Sequence, residues 1–336
     1  MRDILIPFFL LQQKLHEVLE RAGFSEPDAA RCAELFATTD LDGVRSHGIE
    51  RFGRFLEYIQ KGVVFPGKSP VTLSQAGFFE RWDGQLGPGN LNAQFAMNRA
   101  LTLASQSGIG CVALANTNHW MRGGSYGWQA VEAGKIGICF TNTMPNMPAW
   151  GAKESRLGNN PLVIAIPRKN GPVVLDMAMS QFAYGKLSRL AGAGEMAAFP
   201  AGFDAKGELT QDPKIVLENQ SALAVGMWKG AGLSLMIDLL ASLLSGGNST
   251  KDIGKERLES GLSQVFISLD PKVLGLEDWF EEKAEVILTD YLGAEAFEGK
   301  SIFYPGQQTL QTRLKNLENG VPVAAETWEK LLNELK

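Results

Sequence analysis

Apolar positions recur at helical spacing through the first part of the chain and give way to alternation further on. Leu10, Leu11, Leu15, Val18 and Leu19 mark one face of a helix that Gly23 ends. A second helix opens at Ser25-Glu26-Pro27-Asp28, with serine as cap and proline in the first turn, and carries Ala29, Cys32, Leu35 and Phe36 on one side. Asp42-Gly43 turns the chain. Ser46 is then expected to cap a third helix whose stripe is Ile49, Phe52, Phe55, Leu56 and Ile59, with Gly62 as its stop. The apolar run from Ile4 to Leu11 is short, follows Arg2-Asp3 and precedes no small-residue cleavage pattern, so it reads as an extended lead-in to the first helix rather than a signal peptide.

Beyond Phe65-Pro66-Gly67 the pattern changes. Val71, Leu73, Phe78 and Trp82 indicate β structure leading to a glycine loop, Gly84 to Gly89, and a helix from about Asn90 to Ser107. Strands are predicted at Gly110 to Ala115, Gly137 to Thr141, Leu162 to Ile166, Val173 to Leu175 and Gln264 to Ser268. Helices are predicted near Gly127 to Ala133, Gln181 to Leu190, Gly232 to Leu244, Pro271 to Leu292, Thr309 to Leu317 and Glu326 to Leu335. This is an α/β core behind a helical N-terminal lobe. The expected division is a lobe over 1–75, with a contribution from about 250–336, and an α/β domain over 76–249.

Composition narrows the partners. A net charge of −5 with scattered Lys and Arg argues against nucleic acid or an anionic membrane, while leaving room for a small anion held by local positive charge. The helix near Gly232 to Ser245 is too short to cross a bilayer and carries Asp238. Cys32, Cys111 and Cys139 are odd in number and lie in apolar surroundings, without zinc spacing, as in a reduced cytoplasmic protein.

Histidine is scarce, with three in the chain, and His47 stands where the third helix should begin. Arg51 follows four residues later, which on a helix places a guanidinium fork beside a titratable imidazole. Such a pair suits a 2-oxo or 2-hydroxy acid, the arginine holding carboxylate and the histidine exchanging a proton with the neighbouring oxygen. The same residues also fit a plain helix cap, a satisfied polar histidine and a surface arginine. Three further clusters stand at element boundaries. The loop Asn116 to Gly127, containing Asn118, His119 and Arg122, follows a strand, where α/β proteins bind ligands, or is a surface turn. Asp176 to Ser180 ends a strand and either orients an imidazole and takes phosphate at a helix start, or merely caps that helix. Met227 to Gly232 offers lysine and glycines to a pyrophosphate, or to close packing.

No Rossmann fingerprint explains these clusters. Gly108, Gly110 and Ala113 match its spacing but run into a strand, and Gly192, Gly194 and Ala197 follow none. An HExxH pattern is absent from the sequence.

Ser46-His47-Gly48 with Arg51, Asn118-His119-Trp120, Trp150 to Lys153, Gly158-Asn159-Asn160-Pro161, Asp176-Met177 with Ser180, and Lys229 to Gly232 occur in that order. In this pattern the chain resembles the malate/L-lactate dehydrogenase family of non-Rossmann oxidoreductases, from about Phe9 to the last helix. The block His119 to Ala130 is the most specific part, since many relatives carry a Phe-Gly sequence after the histidine. The resemblance implies a mixed, largely antiparallel sheet with flanking helices plus the helical lobe, and a homodimer. It implies an NAD(P)H-dependent reductase of a 2-oxo acid, with a sugar-derived diketo acid foremost and another 2-hydroxy acid, a cyclic imine or a non-catalytic carboxylate-binding role as alternatives. His47 would be the proton donor and Arg51 the carboxylate ligand, with Ser46 and Asp176 in support and Asn118 and His119 also at the substrate. The cofactor, NADH or NADPH, would meet Ala178, Met179, Ser180, Gln181, Phe182, Ala183 and Tyr184, then Trp228 and Lys229, and the loop Gly306, Gln307 and Gln308; no metal is implied. At that loop a relative carries His and Glu after the glycine, and at Asn159 the commoner residue is threonine.

Overall fold

The computed structural model describes residues 2–336. The chain starts with β1 (Asp3–Ile6), α1 (Phe8–Arg21) and α2 (Glu26–Leu41), then a single 3-10 turn (Arg45–His47) and α3 (Ile49–Gln60). Leu11, Leu15 and Leu19 are fully buried, and with Phe36, Phe52 and Phe55 they form one apolar cluster. Burying side chains of this size contributes roughly 1.5–3 kcal/mol each.

The sheet domain follows as β2 (Val71–Ala76), β3 (Phe79–Asp83), α4 (Gly89–Ser107), β4 (Ile109–Thr117), α5 (Gly124–Glu132), β5 (Ile136–Thr141), β6 (Met147–Pro148), β7 (Ser155–Leu157), β8 (Leu162–Ile166) and β9 (Val173–Met177). After α6 (Tyr184–Ala193), β10 (Gly202–Phe203), β11 (Leu209–Thr210) and α7 (Pro213–Asn219) come α8 (Trp228–Ser245), α9 (Thr250–Ile253) and β12 (Leu262–Leu269). The chain closes with α10 (Glu277–Leu292), α11 (Gln307–Asn319), β13 (Val321–Ala324) and α12 (Ala325–Asn333).

The seven strands of the main sheet run in the order β2-β3-β4-β12-β5-β8-β9. Only β3–β4 is parallel, and α4 makes that crossover. The expected mixed, largely antiparallel sheet is therefore present. Alternation sorts its residues by face. Val112 and Leu114 of β4 pack with α4 and α5, whereas Cys111 and Ala113 pack with α8.

Strand direction positions the site. Because β12 is antiparallel to both β4 and β5, those two run the same way, and β9 runs with them through β8. Their C-terminal ends, at Thr117, Thr141 and Met177, thus share one edge of the sheet, facing the helical lobe.

The expected division at 75/76 differs from the structure in two places. The sheet begins at Val71, since β2 is the hairpin partner of β3. Within 250–336, β12 lies in the middle of the sheet, and it is β13, α12 and α11 that reach the lobe. Val321, Val323 and Leu331 join the lobe's apolar cluster, and β13 pairs with β1 in the register Ile4↔Val323 and Ile6↔Val321. No helix among the described residues is long and apolar enough to cross a membrane.

Candidate functional site

Ser46 does not cap the third helix. The cap comes from Asp40, in the last turn of α2, whose Oδ2 accepts the Ile49 N–H at 2.6 Å. His47 consequently sits in the 3-10 turn ahead of α3, and the helical i,i+4 geometry expected for His47 and Arg51 does not apply; the turn and the helix bring both to the same cleft. Asp40 is buried, which pushes its carboxyl well above the ordinary range despite the Ile49 bond. Gly48 lies directly against it, and a Cβ there would stand 2.2 Å from Asp40 Oδ2. Gly48→Ala is therefore expected to displace the cap and destabilise the protein by about 1–3 kcal/mol, readable as a lowered urea midpoint. An unchanged midpoint would show that the turn tolerates the methyl.

Freed from capping, the Ser46 hydroxyl contacts His47 Nδ1 at 2.9 Å. A serine hydroxyl can donate to a neutral Nδ1 or accept from a protonated one, so this contact survives a change of charge. Burial first, and then the positive charges of Arg51 and Arg122, draws His47 down to about 4. Whereas Arg45, Arg122 and Arg313 are each paired with a carboxylate, Arg51 has no such partner among the described residues. Arg54, a turn further along α3, donates to the Tyr58 hydroxyl at 3.0 Å and lines the same cleft.

The loop after β4 forms the next wall. His119 stacks on His47 with ring centroids 6.0 Å apart and planes 17° from parallel. Its Nδ1 accepts the Met121 N–H at 3.0 Å, which places the proton of the neutral ring on Nε2. Burial, with Arg51 next, holds it well below the usual imidazole range. Met121 adopts φ 63°, an uncommon conformation for a bulky residue, and the bond to His119 accompanies it. Asn118 has a different task. Its Nδ2 donates to the carbonyls of Val63, Leu86 and Gly87, so its amide ties two other loop segments to its own; it lines only a small side pocket of about 20 Å³ beside Arg51 and His119.

Arg122, in the same loop, bonds Asp42 through Nη1, and Arg313 of α11 grips that carboxylate with Nε and Nη2 at 2.6 and 2.8 Å. Arg313 also lies over the Trp128 ring, 4.4 Å from its centroid. Residues far apart in sequence are thereby tied together just behind the His47 turn.

The sheet supplies the third wall. Asp176, at the end of β9, accepts the Gly124 N–H at 2.7 Å through Oδ2. Its carboxylate is open to the cleft yet surrounded by protein, and this desolvation raises its pKa, against the opposing pull of Arg122 and the Gly124 bond. Asp176 makes no hydrogen bond to His47. Along the adjoining strip, Ala178, Ala183 and Tyr184 line the cleft, whereas Met179, Ser180 and Phe182 turn into the core and Gln181 bonds the Leu223 carbonyl through its backbone. Trp228 and Lys229 open α8 outside the cleft lining, and Trp228 is exposed. Gly306, Gln307 and Gln308 also lie outside it. They follow Pro305, whose carbonyl accepts from Val174 of β9, and Gln307 Oε1 accepts from the Tyr304 N–H.

The resulting cleft holds about 540 Å³, within the roughly 300–1,000 Å³ usual for small-molecule sites. It brings together Ser46, His47, Arg51, His119, Asp176, Ala178, Ala183 and Tyr184 from the expected set. Arg54, Thr143, Asn146 and Glu259 also line it and were not singled out in the sequence; Arg122 and Asn159, which stood in the candidate loop and the family pattern without an assigned role, line it as well. Arg54 had a signal, one turn after Arg51, and Arg122 stood in the polar loop; Glu259, buried with Oε1 on the Met144 N–H, had none. Chemically the cleft offers a neutral imidazole, an unpaired guanidinium and a set of amide groups.

Comparison with known proteins agrees with this architecture. A family model for malate/L-lactate dehydrogenase matches residues 6–332. A 2,3-diketo-L-gulonate reductase of Citrobacter koseri is 42% identical over 329 residues, covering 97% of this chain and 98% of that protein. Malate dehydrogenase from Entamoeba histolytica superposes with a TM-score of 0.93 at 25% identity, over 99% of this chain and 97% of its own. Δ1-Piperideine-2-carboxylate reductase from Pseudomonas syringae pv. tomato superposes with a TM-score of 0.87 at 26% identity, over 98% and 99%. With its non-Rossmann sheet and a family match across nearly its whole length, the chain belongs to the malate/L-lactate dehydrogenase family.

Proposed function

We propose that this protein is a nicotinamide-dependent reductase of a 2-oxo acid, with 2,3-diketo-L-gulonate as its substrate. The observation that carries the reading is the meeting, in one cleft, of a neutral imidazole held by Ser46 and a guanidinium, Arg51, that makes no ion pair with a carboxylate among the described residues. Arg51 holds the substrate carboxylate through paired charge-assisted hydrogen bonds. That negative charge offsets Arg51 beside His47, so substrate binding favours the protonated imidazole. His47 then gives its proton to the carbonyl oxygen as that oxygen becomes a hydroxyl. Ser46 stays bonded to the ring in both states, His119 presents its Nε2–H, and Asp176 supports the site from the sheet.

A nicotinamide cofactor suits the sheet wall. Asn146 Oδ1 is buried without a partner, and Asn159, whose Oδ1 accepts from Thr143 and Asn146, has no protein acceptor for its N–H groups among the described residues. Amide groups of this kind fit a ring carboxamide. Ala178, Ala183 and Tyr184, the members of the 178–184 strip that line the cleft, would hold the cofactor, with Trp228, Lys229 and the Gly306–Gln308 loop toward its far end. When bound, it supplies the hydride that reduces the carbonyl carbon.

A homodimer is part of the reading. On α8, Leu235, Met236, Leu239 and Leu243 are exposed, opposite the face that packs on the sheet. Unpartnered apolar surface of this extent marks an interface, and a second copy is the proposed cover; a light-scattering mass of one chain would refute it. Scattered surface charge and buried free cysteines suit a cytoplasmic enzyme.

The deciding experiment is a steady-state comparison of NADH and NADPH with 2,3-diketo-L-gulonate, oxaloacetate, pyruvate and a cyclic imine carboxylate, read at the nicotinamide absorbance. Turnover of the diketo acid above the others is the expected result. Preference for the imine would move the protein to imine reduction, and tight cofactor binding without any turnover would indicate a binding protein.

A further inference from the structure

We infer that Arg122 holds the oxygen on carbon 3 of the substrate, next to the carbonyl being reduced, and so selects 2,3-diketo acids over simple 2-oxo acids. This rests on the reductase reading above.

Arg122 lines the cleft together with His47, Arg51 and Asp176. Its guanidinium is buried and only Nη1 has a protein partner, the Asp42 carboxylate. Nε is enclosed without any acceptor, and Nη2 has none among the described residues. A guanidinium carries five N–H donors, and since Nε is enclosed, an incoming oxygen acceptor would be met by Nη2, the unpartnered nitrogen that is not. The fork is also rigid. Asp42 is held from its other side by both Nε and Nη2 of Arg313, so Arg122 is anchored to a fixed carboxylate.

The charge around Arg122 separates it from Arg51. Asp42, Asp176 and the more exposed Glu132 stand beside Arg122 and Arg313, three acidic groups against two basic ones, and a Cβ on Gly124 would lie 2.7 Å from Asp176 Oδ2 and 3.2 Å from Arg122 Nε. This neighbourhood has no net positive charge to offer a second carboxylate. It fits a neutral carbonyl oxygen, while Arg51, without a paired carboxylate, takes the acid group. A vicinal diketo acid presents those features in sequence: carboxylate, reacting carbonyl, second carbonyl.

The test compares kcat/KM for 2,3-diketo-L-gulonate and for its 3-deoxy-2-oxo analogue on the same preparation, so that the ratio is independent of the folded fraction. The unsubstituted protein should favour the diketo acid, and Arg122→Met should lower that preference by about 10- to 100-fold, mainly through the diketo acid. Arg122→Lys keeps the charge against Asp42 but lacks the fork that reaches both partners, and should lose the preference as well. Equal loss for both substrates would assign Arg122 to support of the fold or of His47 and overturn the inference, as would a ratio unchanged in either variant. Reduction of 2-oxo acids without preference for the diketo acid by the unsubstituted protein would overturn it while leaving the reductase reading intact. Absence of turnover with every oxo acid would remove both.

Discussion

Replacing His47 with alanine is expected to lower kcat for 2-oxo acid reduction by about 10²- to 10⁴-fold, the range usual for loss of a positioned general acid. The imidazole makes one side-chain hydrogen bond, to Ser46, and lies at the cleft wall rather than in the core, so the variant should fold and still bind cofactor. In the unsubstituted enzyme the donor must be protonated, and activity falls as pH rises through the pKa of His47 in the substrate complex. That limb should vanish from the kcat profile of His47→Ala. Turnover within a few-fold of the parent, or an unchanged profile, would transfer the proton to another group, with His119 the next to examine.

The second large effect is expected from Arg51→Met. Two charge-assisted hydrogen bonds to a carboxylate are worth about 3 kcal/mol or more together, so kcat/KM should fall by about 10²-fold or beyond, with much of the loss in KM. A second consequence needs no substrate. The positive charge of Arg51 opposes imidazolium, so its removal should raise the pKa of His47 from about 4 toward the ordinary value, leaving the effects of burial and Arg122 in place. The stability consequence has a definite sign. A histidine whose folded pKa lies below its unfolded value of about 6.5 contributes stability that is fully present above that pH and is lost as pH falls toward 4. Arg51→Met should therefore lose less stability than the parent across that window. Titration of the His47 ring protons by NMR, with urea unfolding at several pH values, tests both; an unmoved pKa would mean that Arg51 is screened from the ring.

Much of the helical lobe was legible because its contacts are local. The apolar stripes of α1, α2 and α3 and their glycine stops can be read within a few turns of chain, and β8 lies where its five apolar residues place it. The cap of α3 was not legible. A serine ahead of an apolar run is ordinarily a cap, but here Asp40, nine residues before Ile49, reaches the helix first and leaves Ser46 for His47. β13 was likewise hidden. Val321–Ala324 is four residues long and contains Pro322, and only pairing with β1 makes it a strand.

By itself the sequence determined the scarce histidine and its arginine, the alternation of strands and helices, the failure of the Rossmann spacing, and the family pattern. Tertiary structure alone decided which candidates meet. Asn118 turned its amide to three loop carbonyls, Met179, Ser180 and Phe182 went into the core, and Asp42, Arg122 and Arg313 came together from three distant segments. The physical reason is that a site forms where strand ends coincide, and the shared edge of β4, β5 and β9 depends on β12, which enters between β4 and β5 long after both have been made.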